Sequence, residues 1–144
     1  MRFARTLSTR LAATICLTIT APAFASDGLE ALAQPGRVLM LRHANAPGYG
    51  DPPGFRIGDC RTQRNLDERG RAQARATGER LRALGIREAR IYSSQWCRAL
   101  ETARLLGLGK VRELPALNSF FQGHAEREPT LATLRDFLAR QTAD

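Results

Sequence analysis

The sequence predicts an α/β fold: a mostly parallel sheet flanked by helices, in three layers. Two observations carry this prediction. Short apolar runs alternate with longer segments in which apolar residues recur every three or four positions, and Gly or Pro residues separate the two kinds of segment. Strands that alternate with helices in this way form parallel sheets with helices packed on them.

The first predicted strand is Arg37 to Ala44, in which four consecutive apolar residues follow Pro35-Gly36. Such a run is typical of a strand that is buried on both faces. The strand ends in Arg42-His43, a fixed cation beside a residue that can serve as nucleophile, base or metal ligand. Open α/β sheets bind ligands at the carboxyl ends of their strands, so this pair is a candidate site. An ordinary surface pair is the alternative.

A loop and a helix follow the first strand. The loop, Asn45 to Asn65, is too long for a simple connector, which indicates a functional or lid-like role. Asp67 is predicted to cap a helix that runs to about Leu84 and ends at Gly85. Small residues on its apolar face favour close packing on a sheet.

The remaining elements continue the alternation. Ala89 to Ser93 is predicted to be a strand, Ser94 to cap a helix, and Val111 to Leu114 to form a third strand. Pro129 is predicted to begin a last helix with an apolar stripe from Leu131 to Leu138.

The N-terminal residues 1–25 are predicted to be a signal peptide, which leaves a domain of residues 26–144. Arg2, Arg5 and Arg10 precede the apolar run from Leu11 to Thr20, and Ala23-Phe24-Ala25 supplies small residues for cleavage. The run is too short to span a bilayer, so we expect a periplasmic protein without stable membrane insertion. A buried helix or a retained anchor is the alternative.

The formal net charge is +8, and Lys110 is the only lysine, so the positive charge is almost entirely arginine. The planar guanidinium suits the recognition of phosphate and carboxylate groups. Glutamates interleave with the arginines, which is typical of a solvated helix face. No aromatic and basic interleaving is present, so we do not predict binding of nucleic acid.

Cleavage of the signal peptide leaves two cysteines, Cys60 and Cys97. In an exported protein the simplest expectation is that they form a disulfide. Two separate buried thiols are the alternative, because the sequence does not give the distance between the two Cα atoms. No Cys and His cluster has ligand spacing, so no metal site is predicted.

Arg98 lies in the first turn of the predicted helix after the second strand. A helix N-terminus presents unpaired N–H groups and favours anions, so this arginine is a candidate phosphate ligand. Parallel strands bring their carboxyl ends to one edge of the sheet, where Arg98 would meet Arg42 and His43. A solvent-exposed arginine is the alternative.

Three motifs now make the sequence resemble the histidine phosphatase superfamily, which has the phosphoglycerate mutase-like fold. They occur in the family's order and spacing, at Leu41-Arg42-His43-Ala44, at residues 65–74 and at residues 93–103. Within the family, the predicted export, the Arg-His-Ala variant and the surroundings of Cys60 and Trp96-Cys97 are most similar to the periplasmic lipopolysaccharide core heptose phosphate phosphatases.

The resemblance implies a phosphomonoester hydrolase in which His43 attacks the phosphoryl group and water hydrolyses the resulting phosphohistidine. Arg42 and Arg98 would hold the phosphate, and neither a metal nor another cofactor is implied. Phosphoryl transfer needs mainly positioning and charge neutralisation, which two arginines supply. A backbone carbonyl is expected to fix the tautomer of His43. The substrate would be a small phosphorylated molecule, such as a sugar, or the lipopolysaccharide core.

The sequence also departs from the family. Members carry a second phosphate-binding histidine on a late strand, and nothing here matches it. We therefore expect a domain that is incomplete at its C-terminus, with its last strand or strands missing, and His124 to be solvent-exposed or at the substrate rim. The usual acidic proton donor is missing at Leu117 to Phe120 as well.

The alternative functions are a catalytically impaired or truncated member that retains only an anion-binding pocket, and an exported arginine-rich binding module.

Overall fold

The computed structural model describes Leu32 and residues 34–141, so the predicted signal peptide, residues 1–25, lies outside the described residues. Helices and strands alternate along the chain as α1 (Glu68–Ala83), β1 (Ile91–Ser93), α2 (Cys97–Leu105), β2 (Val111–Glu113) and α3 (Arg127–Gln141). The two strands pair in parallel, with Ile91 opposite Val111. The α/β class with a parallel sheet agrees with the sequence prediction.

Helix α1 begins and ends as predicted. The carboxylate of Asp67 accepts a hydrogen bond from the backbone N–H of Gly70 at 2.7 Å, which satisfies one free donor of the first turn. Leu84 follows the last helical residue, and Gly85 then adopts a φ of +87°, a left-handed conformation that glycine adopts without strain.

Small residues on the buried face of α1 let two other segments approach its backbone closely. A Cβ atom at Gly70 would collide with the carbonyl of Asn45, and one at Gly78 would collide with the carbonyl of Leu106. Asn45 lies two residues after His43, so the glycine contact brings the end of the His43 segment against α1. The first small core cluster, Ala44, Ala46, Leu66 and Ala74, lies at this junction.

The predicted cap of α2 is wrong. Trp96, not Ser94, occupies the N-cap position, and its side chain makes no capping hydrogen bond. The backbone N–H of Cys97 instead donates to the side-chain carbonyl oxygen of Gln63 at 2.9 Å. A residue from the long loop thus satisfies the helix terminus, a contact that local sequence does not reveal.

Helix α3 begins at Arg127, two residues before the predicted Pro129. None of its residues is buried, and its apolar side chains, Phe137 among them, are half-buried or exposed. Phe137 meets the ring of Tyr92 edge-on, with 4.8 Å between the centroids. No helix in the described part of the chain is both long and apolar enough to span a membrane.

The predicted first strand is wrong. Residues 37–44 form no strand, and Val38, Met40 and Leu41 are 48 %, 61 % and 50 % exposed. Within residues 34–141 the two strands pair only with each other, so this segment has no backbone ladder. A strand buried on both faces needs such partners. Only its last residue, Ala44, is buried, and the Ala44 N–H donates to Thr102 Oγ1 at 3.0 Å.

Candidate active site

His43 lies where the exposed apolar segment meets the buried Ala44. Its ring Nδ1 lies 2.7 Å from the carbonyl oxygen of Ala44. A carbonyl only accepts, so Nδ1 carries the proton and Nε2 of the neutral ring holds the free lone pair. The partner is a backbone carbonyl, as the sequence analysis expects.

Burial is the main factor that lowers the pKa of His43 below its ordinary value. The hydrogen bond to the Ala44 carbonyl opposes this shift, but three positive charges reinforce it, those of Arg98, Arg42 and Arg64 in decreasing order. At neutral pH the ring is therefore neutral, which is the form that has a nucleophilic nitrogen.

Arg42, Arg64 and Arg98 line one cavity together with His43, and the cavity has a volume of about 890 Å³. Arg42 is exposed, Arg64 is half-buried and Arg98 is buried. The structure thus brings together the three residues that the sequence analysis selected. It adds Arg64, whose only sequence signal is its place directly before the second motif, which begins at Asn65.

Arg98 is held by a carboxylate that the sequence analysis missed. Its two terminal nitrogens donate to Asp51 Oδ1 at 2.6 Å and to Oδ2 at 3.0 Å. The two side chains are only 9 % and 2 % exposed, which makes this a buried ion pair. The Nε–H of Arg98 is buried and has no hydrogen-bond partner among the described residues. The one sequence signal for Asp51 is its place in an unusually long loop.

Asp51 also accepts hydrogen bonds from two other groups. The indole N–H of Trp96 donates to it at 2.9 Å, and the backbone N–H of Arg64 donates to it at 3.0 Å. Burial raises the pKa of Asp51, but the hydrogen bonds from Arg98, Arg64 and Trp96 outweigh burial and lower this pKa to about 2. The carboxylate is therefore ionised at neutral pH, so it positions other groups and has no proton to donate.

Arg64 connects the loop to the same cluster. Its Nε donates to the carbonyl of Gly50 at 2.9 Å, and one terminal nitrogen donates to the carbonyl of Ala46. The side chain therefore spans the residues between Ala46 and Gly50. This bracing gives the first part of the loop a defined course beside His43.

Comparison with known proteins settles the family of this site. The model of the histidine phosphatase superfamily (branch 1) matches residues 38–143. The chain belongs to the histidine phosphatase superfamily. The match includes all three of the motifs on which the resemblance rests.

Curated relatives of this histidine phosphatase match one stretch of the chain. The mitochondrial serine/threonine-protein phosphatase Pgam5 of Drosophila virilis is 38 % identical over 69 residues, which cover 48 % of this chain and 21 % of the relative. The Pgam5 proteins of Drosophila willistoni and Drosophila mojavensis match over the same coverage at 38 % and 35 % identity. The match thus spans about a fifth of the length of these relatives. No solved structure matches the chain.

The predicted disulfide of this histidine phosphatase is present. Cys60 and Cys97 are joined, and their Cα atoms lie 5.7 Å apart. Cys97 is the first residue of α2 and directly precedes Arg98, so the bond ties the loop to the turn that carries the buried arginine. The alternative of two separate thiols is wrong.

His124 of the histidine phosphatase packs in an aromatic cluster instead of standing free in solvent. Its ring centroid lies 4.3 Å from that of Phe55 and 5.7 Å from that of Trp96. Its Nε2 is buried and has no hydrogen-bond partner in the described part of the chain. The indole N–H of Trp96 in turn donates to Asp51, so this aromatic cluster is connected to the Asp51–Arg98 ion pair.

Proposed function

We propose that this histidine phosphatase hydrolyses phosphomonoesters through a phosphohistidine on His43. The observation that carries the proposal is the contact of His43 Nδ1 with the Ala44 carbonyl, which leaves the Nε2 lone pair for attack, in a cavity that Arg42, Arg64 and Arg98 also line. Nε2 attacks phosphorus, the ester P–O bond breaks, and the leaving oxygen takes a proton from water. A second water then cleaves the N–P bond, which releases phosphate and restores His43.

The arginines supply the electrostatic part of the reaction. Arg42 is exposed and able to turn toward a bound phosphate, whereas Arg98 is held in place by Asp51 and its Nε–H is buried without a partner among the described residues. Donors that are already fixed need no reorganisation when charge develops on the phosphoryl oxygens. In our proposal Arg42 and Arg98 bind the phosphate, Arg64 adds positive charge, and Asp51 positions Arg98.

The substrate we propose is a small phosphorylated molecule, such as a phosphorylated sugar, or the lipopolysaccharide core, and the proposed location is the periplasm. The N-terminal features of a signal peptide support export, and so does the disulfide, because disulfides persist in oxidising compartments. The arginine-rich site fits a phosphate ester. The serine/threonine-protein phosphatase named among the relatives supports the broader phosphomonoester class.

We also propose that the domain has a three-layer fold, with helices on both faces of a mostly parallel sheet. The parallel pairing of β1 with β2, and the alternation of these strands with the three helices, support this arrangement.

A second candidate function is anion binding without turnover. The observation that favours it is the commitment of both terminal nitrogens of Arg98 to Asp51, which leaves fewer donors for a phosphoryl group. Loss of a single donor to developing charge typically costs about 10²–10³ in rate. This candidate predicts phosphate binding that Arg98→Ala weakens, with no measurable hydrolysis.

The deciding experiment uses an aryl phosphate with the full chain and with His43→Ala. We expect His43→Ala to abolish turnover and to remove the acid-labile phosphate that quenching traps on the protein. His124→Ala, which changes the chain's other histidine, is the matched control and should still trap phosphate. Trapping that persists in His43→Ala would assign the nucleophile elsewhere, and binding without trapping would favour the second candidate.

A further inference from the structure

We propose that Tyr49 and Phe121 form a binding subsite for a ring-shaped leaving group next to His43. The ligand class is a phosphomonoester whose alcohol carries a ring with a flat apolar face, either an aromatic ring or a pyranose. This inference rests on the proposed function, since it assigns the leaving-group side of the same site.

Tyr49 lies in the long loop, Asn45 to Asn65, with its side chain in solvent. The residue is 90 % exposed, and the two glycines that flank it, Gly48 and Gly50, have φ angles of +93° and +68°. Glycine adopts this left-handed conformation without the strain that a side chain brings. Single exposed aromatic residues are common on protein surfaces, so exposure alone does not make a site.

The second observation is a ring partner from a distant segment. Phe121 is 47 % exposed, and its ring meets that of Tyr49 at 5.4 Å between centroids and 81° between planes. This edge-to-face geometry is one of the two favoured aromatic arrangements. It leaves ring surface on both side chains open to a third ring.

The two segments that carry these rings are joined beneath them. The backbone N–H of Asp51 donates to the side-chain carbonyl oxygen of Gln122 at 2.9 Å. A Cβ atom at Gly50 would lie only 3.0 Å from the side-chain amide of Gln122, so the absence of a side chain at Gly50 lets the two segments pack closely. The buried pairing of Asp51 with Arg98 anchors the loop from the other side. A rigid base lowers the entropy cost of binding a ring.

The rings belong to the same cavity as the candidate nucleophile. Tyr49 and Phe121 line the cavity that His43 and Arg64 also line. Arg64 contacts the backbone of Ala46 and of Gly50, on both sides of Tyr49. Our proposal places the ester substituent of a phosphoryl group at His43 in the part of this cavity that Tyr49 and Phe121 line.

Binding measurements without turnover test the subsite. In a His43→Ala background, which consumes no ligand, calorimetry compares phenyl phosphate, glucose 1-phosphate and the open-chain glycerol 1-phosphate. We expect at least one ring phosphate to bind roughly 3–10-fold more tightly than glycerol 1-phosphate, the range that a ring contact supplies. The ligand that shows the preference identifies the ring as aromatic or pyranose.

Three second-site variants decide the assignment. Tyr49→Ala should remove the ring preference and leave the affinity for glycerol 1-phosphate unchanged, and Tyr49→Phe should keep the preference. Phe120→Ala is the matched control, because Phe120 is 44 % exposed but its ring is faced by Arg127 at 5.7 Å instead of by Tyr49. It should leave the preference unchanged.

The subsite is refuted by equal affinities for ring and open-chain phosphates, by a preference that survives Tyr49→Ala, or by an equal loss in Phe120→Ala. The proposed function is judged separately, from turnover and phosphate trapping in the chain that retains His43. A ring preference without turnover would support the subsite and contradict the hydrolase proposal. Turnover without a ring preference would support the hydrolase proposal and contradict the subsite.

Discussion

The two walls of the cavity beside His43 differ in how well their groups are satisfied. Arg64 and Arg98 line the charged wall, and the Asp51 side chain that pairs with Arg98 is 2 % exposed and accepts hydrogen bonds from Arg98, Trp96 and Arg64. On the apolar wall, Val38 and Met40 are 48 % and 61 % exposed although they are typical core residues. Within the described residues, the charged wall leaves only the Nε–H of Arg98 without a partner, whereas the other wall leaves its apolar surface open.

The difference follows from the kind of contact that each wall needs. The charged wall is built from a few directional side-chain bonds between a loop and a helix, and the disulfide from Cys60 to Cys97 joins the same two parts. The apolar wall needs a continuous backbone ladder along residues 37–41, which forms only when whole strands lie side by side. Point contacts therefore suffice for the first wall and not for the second.

The largest effect we expect comes from Asp51→Asn, which removes one charge of the buried pair and retains the shape of the side chain. Leaving Arg98 buried without its counter-charge should cost about 3–5 kcal/mol of unfolding free energy. Denaturant unfolding measures it. Asp59→Asn is the matched control, because Asp59 lies in the same loop and contacts Arg56 and Arg61, whose side chains are 69 % and 90 % exposed. Little change is expected there. An equal loss in both variants would show that the charged wall is not a buried network.

Removal of the disulfide should cause the next largest loss of unfolding free energy. It closes a loop of 37 residues, and the chain-entropy model gives roughly 3–4 kcal/mol for such a closure. The double variant Cys60→Ser, Cys97→Ser should lose this stability, and reduction of the unmodified chain should reproduce the loss. Reduction should have no effect on the double variant. Two free thiols on alkylation of the unreduced, denatured protein would contradict the expectation.

We expect Arg42→Ala to have a moderate effect on the pKa of His43. Its pKa lies below the ordinary value, so the neutral ring, and with it nucleophilic activity, persists to more acidic pH. Arg42→Ala removes one of the positive charges that lower the pKa of His43. The pKa and the acidic limb of activity should therefore both move to higher pH. Proton NMR measures the titration directly. Arg75→Ala, an exposed change on α1, should leave it unmoved.

The smallest effect on stability is expected on the apolar wall. Met40→Glu should change the unfolding free energy by less than about 0.5 kcal/mol, as exposed substitutions do. We also expect the exposed apolar run of residues 38–41 to promote self-association, which Met40→Glu should reduce and which sedimentation measures. Leu81→Ala, in a residue only 5 % exposed, should cost about 2–5 kcal/mol. If Met40→Glu proves as costly as Leu81→Ala, the segment 37–41 is buried after all.

Local sequence determined the elements whose hydrogen bonds join near neighbours. Helix α1 begins after Asp67 and ends near Gly85, as predicted, since a cap and a left-handed glycine act within a few residues. The β1 and β2 strands and the first-turn place of Arg98 also agree with the sequence pattern. The three motifs identified the family for the same reason, because each is a short run of chemistry at fixed spacing.

Tertiary structure alone decided which distant groups meet. The carboxylate that holds Arg98 lies 47 residues earlier in the chain, and the group that caps α2 lies 34 residues before Cys97. The course of the long loop selects these partners, and no periodicity in the sequence encodes that course. The exposure of residues 37–41 has the same origin. An apolar run indicates that a segment is suited to burial, whereas its actual burial depends on which strands lie beside it.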